Sequence, residues 1–433
     1  MKKIILSFII CTTTIVATAQ DTTALLYRFT LENCLEYASS FNYNRQSQKL
    51  TEKAKEDAYS QSKMERLPNL SASLNESFNS SKNSASSWNG SYGINTNITL
   101  YNGGSIGNTI EQNRLMTEQA SAQTYMLDKD LTISILQAFL TALGNEELLN
   151  YQKSVVKTSE EQLKQGVEQF RLGKILESDY LLLESQYTTD KNNIVETQIA
   201  IDKSLLNLKN LLSMSPTDNL QIVSPDTGII TGMSMLPPID YVLEQASVTL
   251  PDLEISKYNV EIAKIGVKLS KANYAPAISL YGNAGTGHSS TYSRFGKQLS
   301  DRLNGEIGIS VSIPIFDNNR TRSKVNQSRI ALQQAELEQK QTELDMMQVV
   351  ATEYQDVVSA YNKYQTFNVK QQAYFKSFEV YLALFNTGSI TAVDMLQQQN
   401  NYISALNDFI QSKYEFILKR KILDVYIGNS ILM

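Results

Sequence analysis

The sequence predicts an α+β membrane protein, in which very long helices pack lengthwise and amphipathic strands cross a bilayer. Three observations point there: an internal duplication, helical stretches longer than a compact domain can use, and four segments of strict two-residue alternation. A chain of 433 residues would fill two or three ordinary domains if it were globular.

The duplication is read directly from the residues. FRLGKILESDYLLLESQY (170–187) aligns without a gap with FNTGSITAVDMLQQQNNY (385–402), at an offset of 215. LPNLS (67–71) matches APAIS (275–279), and LEYAS (35–39) matches LEQAS (243–247), both at an offset of 208. SYGINTNITLYNGG (91–104) aligns with EIGISVSIPIFDNN (306–319) at 215 again, which locates a seven-residue longer connection between the two strands of the second copy. The predicted organisation is a first repeat over 20–212, a Pro/Asp/Gly-punctuated inter-repeat segment over 213–238, and a second repeat over 239–433.

Residues 1–19 have the parts of a secretory signal peptide: basic Lys2 and Lys3, apolar Ile4 to Ile10, and the small-residue site Ala17-Thr18-Ala19. Cys11 follows Ile10, where a lipoprotein signal would place a small residue, so lipid attachment is not expected. The mature chain then keeps one cysteine, Cys34, within LENCLEYA, and the expectation is a small buried apolar residue of a helix.

Each repeat has the same grammar. A helix (about 31–66, then 239–273) leads to two strands, a very long helix, a Gly-marked break and a further helix. From 105 to 170 there is no proline, and the only glycines are Gly107, Gly144 and Gly166. At ~1.5 Å per residue such a helix would be roughly 100 Å long, and it must pack along others as a coiled-coil-like bundle. Leu163, Val167 and Phe170 keep helical stripe spacing before the first break, as do Ile403, Leu406, Ile410, Tyr414 and Ile417 in the last helix.

The strands decide the environment. Tyr92, Ile94, Thr96, Ile98 and Leu100 alternate with Ser91, Gly93, Asn95, Asn97 and Thr99. Ile307, Ile309, Val311, Ile313 and Ile315 alternate with Glu306, Gly308, Ser310, Ser312 and Pro314. Leu70/Ala72/Leu74 and Ile278/Leu280 repeat the pattern in the shorter partners. Period two with one apolar face puts one side against apolar surroundings and the other against water. Segments of about 10 residues match a tilted bilayer crossing, and Trp88, Tyr92, Tyr101 and Phe316 near their ends would form an aromatic girdle. Ile94, Ile98, Ile307, Ile309, Val311 and Ile313 are therefore expected to face the membrane. A transmembrane sheet must close on itself, and the smallest such barrels have about 8 strands, so several chains must contribute.

Other classes find little support. No mature segment has 18 consecutive apolar residues, the net charge is −5 with no basic cluster, and His288 is the only histidine. No nucleic-acid partner, metal or cofactor is expected, and no nucleophile elbow or phosphate loop points to an enzyme. His288 falls in the longer second hairpin and is expected to be exposed and inert.

The order LENCLEYA, LPNLSASL, LYNGGSIGNTIEQNR and FRLGKILESDYLLLESQ, repeated as LEQAS, APAISL, IFDNNRTRSKVNQSR and FNTGSITAVDMLQQQNNY, resembles the TolC-like outer-membrane efflux proteins. The resemblance spans essentially the mature chain. It implies a homotrimer with a twelve-stranded transmembrane β-barrel in outer-membrane lipid, four strands per chain, above a long α-helical barrel in the periplasm. It implies an exit duct of a tripartite efflux or type I secretion system, joined to an inner-membrane RND or ABC transporter through a periplasmic adaptor (membrane fusion) protein. Segment 213–238 would belong to an equatorial belt. Arg171-Leu172-Gly173 and Asn386-Thr387-Gly388 would be the periplasmic tips that contact the adaptor. Asp394 matches the first acid of the family's constriction, while Gln397 stands where a second acid can occur; Asp179 is the counterpart of Asp394 in the first repeat. The competing expectation is a coiled-coil structural or adhesive surface protein, which shares the long helices but leaves the amphipathic strands unexplained.

Overall fold

The computed structural model describes residues 26–82, 84–223, 236–292 and 294–429. The signal peptide expected over 1–19 lies outside the described residues, as does the 224–235 part of the inter-repeat segment.

The first half runs β1 (Leu26–Phe29), α1 (Leu31–Phe41), α2 (Tyr43–Met64), β2 (Asn69–Ser81), β3 (Ser84–Asn102), α3 (Ser105–Arg171) and α4 (Glu177–Leu211). After β4 (Asn219–Ile222) come α5 (Ile239–Thr249), α6 (Pro251–Ala272), β5 (Ala277–Ser289), α7 (Phe295–Asp301), β6 (Asn304–Ser312), α8 (Arg320–Asn386) and α9 (Ala392–Tyr426). Helices at matching places have equal lengths. α1 and α5 have 11 residues, α2 and α6 have 22, α3 and α8 have 67, and α4 and α9 have 35.

The helix expected over 31–66 is two helices, and so is its counterpart. Asn42 is extended (ψ 123), accepts from Arg45 N at 2.9 Å as the N-cap of α2, and donates through Nδ2 to Leu211 O at 2.8 Å. At the matching place Leu250 is extended because Pro251 follows, occupying the first turn of α6.

The four-stranded sheet has the order β2-β3-β5-β6, all antiparallel, so the two repeats join along β3 and β5. β2 and β6 are edges. The helices below follow the same sequence, α2 packing on α3, α3 on α6 and α6 on α8. β3 is longer than expected, at 19 residues, with an irregularity between Thr99 and Tyr101. β6 ends at Ser312, so Ile313 and Ile315 lie past it; Pro314 has no N–H to extend a ladder. The longer second connection contains α7.

The apolar core sits midway along the long helices. Ile135, Leu136, Phe139 and Leu140 of α3 pack with Leu208 of α4, Cys34 of α1 and Ile417 of α9, beside the parallel β1–β4 pair. The second repeat builds an equivalent core from Val242 and Ala246 of α5, Val350 and Val357 of α8, and Phe416 and Leu423 of α9. Burial pushes the Cys34 thiol up to about 12, as befits the inert buried residue expected.

Candidate functional site

The two Gly-marked breaks are turns at the ends of α3 and α8. Gly173 (φ 69) and Gly388 (φ 75) adopt the left-handed conformation that a Cβ disfavours. Lys174 N donates to Gln169 O at 2.8 Å and Gly173 N to Phe170 O at 2.9 Å; Ser389 N donates to Leu384 O and Gly388 N to Phe385 O, both at 2.9 Å. This is the two-bond Schellman closure in both repeats, and it satisfies carbonyls that the helix end would orphan. Leu172 is the C-cap of α3 and Thr387 that of α8. Arg171 is held by Glu168 at 2.8 Å on the exposed surface, and Asn386 is the last residue of α8. The turns stand side by side over one apolar cluster, Leu183 of α4 with Phe378 and Phe385 of α8 and Ala392, Met395 and Leu396 of α9.

The two acids after the turns differ. Thr391 caps α9: its Oγ1 accepts from Asp394 N at 3.3 Å, and Asp394 Oδ2 accepts from Thr391 N at 3.3 Å and from Thr391 Oγ1 at 2.7 Å. This capping box joins to the attraction between a carboxylate and a helix N-terminus. The spacing Thr391-Ala392-Val393-Asp394 carries that signal, and Asp394 in the first turn of α9 suits the helix dipole as well as a constriction. In the first repeat Leu176 stands where Thr391 does, with no side-chain cap, and Asp179 is half-buried. Asp394 and Gln397 are both exposed on one side of α9, and Gln397 Nε2 donates to Asn401 Oδ1 at 3.3 Å.

The helix faces behind the tips are more polar than the expected stripe. Val167 and Phe170 are exposed, while Ser159, Gln162 and Gly166 of α3 turn inward. A Cβ on Gly166 would lie 2.5 Å from Leu183 Cδ1, so this glycine sets the close approach of α3 and α4. Gln162 Nε2 reaches Met395 Sδ at 3.6 Å. Asp190 of α4 is 2% exposed and accepts from Gln186 Nε2 at 2.9 Å, but its Oδ2 has no partner. Burial raises the Asp190 carboxyl above the ordinary carboxylate range, against the hydrogen bond from Gln186.

At the far end of the molecule the pairing places the expected membrane residues on one face. Ala72 lies opposite Ile94, Ile98 opposite Leu280, Leu280 opposite Ile309, Gly282 opposite Ile307, and Ile278 opposite Val311. Ile94 is 53% exposed and Ile307 83% among the described residues; Ile98 is half-buried and Ile313 lies beyond the strand. Tyr101 joins this face opposite Ile278, and Trp88 packs on Phe78 at a 6.0 Å centroid distance further out. His288 is not exposed as expected. It is on the same face at the outer end, opposite Gly90, 9% exposed, with Nδ1 3.3 Å from Tyr92 Oη and Nε2 3.7 Å from Glu76, under the Phe295 ring of α7.

Residues 44–213 and 242–429 match the outer membrane efflux protein family. The chain belongs to that family. This outer membrane efflux protein is 21% identical over 309 residues to the alkaline protease secretion protein AprF of Pseudomonas aeruginosa, covering 69% of this chain and 62% of that one. It is 20% identical over 315 residues to the outer membrane protein TolC of Escherichia coli, covering 69% of this chain and 61% of TolC. The chain therefore spans about three-fifths of the length of the curated relatives it matches. Among solved structures, CusC superposes with a TM-score of 0.80 at 15% identity, covering 92% of each chain, so the fold is that of these channels. Family membership places the protein in the outer membrane, its long helices on the periplasmic side.

Proposed function

We propose that three copies of this chain close into one outer-membrane duct, with a twelve-stranded β-barrel and an α-helical barrel beneath it. The observation that carries this reading is the open sheet. β2 and β6 are unpaired edges of a sheet with an apolar outer face, and within a bilayer such edges must find strands. The helices below have matching seams. α8 exposes Ile330, Leu337 and Leu344 on a seven-residue repeat suited to lengthwise packing, and α2 exposes Tyr43, Leu50 and Met64 along one side, with Asp57 between the last two. Two copies would supply eight strands, whose interior side chains fill; three leave room for a lumen.

The duct would carry substrates from an inner-membrane RND or ABC transporter outward, in an efflux or type I secretion assembly. A periplasmic adaptor protein would join them at the tips, through Arg171, Leu172, Gly173, Asn386, Thr387 and Gly388. Leu172 is 60% exposed and would supply an apolar contact there. Asp394, with Gln397 one turn on, would line the narrow end, because a threefold copy near the axis makes a ring of three carboxylates that favours cations. The chain's role is conduction, not catalysis.

Asp394→Ala should lower cation selectivity of the purified protein in planar bilayers, and unchanged selectivity would remove Asp394 from the constriction. Fractionation tests the wider reading. Recovery in the outer membrane as a pore-forming oligomer supports the duct, and recovery in the soluble periplasm would favour the coiled-coil surface protein.

A further inference from the structure

Among the described strand residues, the inner face of the four-stranded sheet carries a single charge. Alternation and register put Asn304, Glu306, Gly308, Ser310 and Ser312 of β6 opposite to the apolar outer face. Among the described side chains on that face, β2, β3 and β5 present Asn, Ser, Thr and Gly, apart from Ala277 and Tyr281. Among the described strand residues there, Glu306 is the one member of the Asp, Glu, Lys and Arg set. The other strand carboxylate, Glu76, lies on the outer face beside His288.

Glu306 is also held in place. Tyr281 Oη donates to Glu306 Oε1 at 2.8 Å. Tyr281 lies opposite Gly308 in the register, and a Cβ on Gly308 would come within 2.5 Å of Tyr281 Cζ and Oη. The ring thus lies across β6 where only a glycine leaves space, and the carboxylate one pair outward is its anchor. Since β6 starts at Asn304 and descends toward α8, Glu306 stands near the outer mouth. Asp394 lies beyond the 67-residue α8, roughly 100 Å away along the helix.

We propose that Glu306, positioned by Tyr281, is the specificity-determining residue of the barrel's outer mouth and gives it a preference for cations. The inference rests on closure of the chains into a duct, which brings three Glu306 carboxylates around a strand wall otherwise neutral and hydrogen-bonding. The opposite charges of Asp301 and Arg302 stand together at its rim beside Asn304. An amide and hydroxyl wall cannot separate ions by sign. A ring of fixed negative charge does so when the screening length is comparable with the pore, so the effect belongs to dilute salt.

The test uses the purified duct in planar bilayers, with reversal potentials in potassium chloride gradients and lanthanum ion added to one side at a time. Near 10 mM salt Glu306→Gln should cut the cation-to-anion permeability ratio about twofold or more, and near 1 M, where screening acts over ~3 Å, it should match wild type. Lanthanum from the extracellular side should reduce wild-type current and spare Glu306→Gln, while block from the periplasmic side should persist in that variant and be lost in Asp394→Ala. Tyr281→Phe keeps the charge but frees it, and should retain selectivity while weakening extracellular lanthanum block. A conducting Glu306→Gln duct with wild-type selectivity and wild-type extracellular block would overturn the assignment. Absence of conductance from wild-type protein would instead overturn the duct reading itself.

Discussion

Asp394 and Asp190 show how differently two acids of one bundle are used. Asp394 is exposed and engaged in a local capping box with Thr391, so its charge stabilises the start of α9 whatever else it does in an assembly. Asp190 is buried against α3 with one oxygen unpartnered, and burial holds its carboxyl above the ordinary range. An acid whose folded pKa is raised stabilises the fold while it is neutral. That stability is fully present below the unfolded value, near 4, and is lost as pH rises through the raised folded value. Asp190→Asn should therefore match wild type in thermal unfolding near pH 3 and exceed it at pH 7; equal curves at both would refute the assignment. At the turns, Gly388→Ala forces a Cβ into the left-handed region at a cost of about 1–2 kcal/mol. Faster amide exchange at 385–392, with α8 above unaffected, would register it. These glycines were plain in the sequence because a reversal of this kind demands a residue without a Cβ. The break at Asn42 was not, because its reason is a bond to the carbonyl of Leu211, 169 residues away.

The elements carry two kinds of information. The first long helix was readable from the absence of proline and the glycine turn at its end, and the second break from Gly388, whereas Pro251 was passed over in the expectation of one helix over 239–273. Inward faces were harder to read. Leu163, Val167 and Phe170 make an apolar stripe, yet the chain buries Ser159, Gln162 and Gly166 and leaves Val167 and Phe170 outside. A stripe on such a helix can answer to a neighbouring subunit, and spacing alone does not tell one neighbour from another. The register keeps the alternating sets of each strand on opposite faces, since a one-residue slip would turn every side chain over, although Ile313 and Ile315 lie past β6. Their order was not available, because the β3–β5 pairing joins residues nearly two hundred positions apart, and α7 lay in a connection known only to be longer. The faces make unequal demands. Ile309→Lys places a charge against lipid, at about 2–4 kcal/mol near the bilayer midplane, whereas Ser310→Lys faces water. Heat-resistant oligomer recovered from outer membranes should fall sharply for the first and little for the second. Equal losses would reverse or abolish the assignment of faces.

At the scale of the whole molecule, the described residues form an open arc of strands above an open arc of helices, which the proposed closure would make a segment of a wall. Its strands run β2-β3-β5-β6 and its helices α2-α3-α6-α8 in the same sense, and each arc ends on apolar surface that none of the described residues covers. The duplicated grammar explains why one arc is two similar halves. The family explains where the wall stands, in the outer membrane with its long helices in the periplasm. The central claim is closure by three chains. Native mass measurement of the particle extracted from outer membranes in mild detergent tests it most directly. A single species of three chains is the predicted result, and a particle of one or two chains would contradict it.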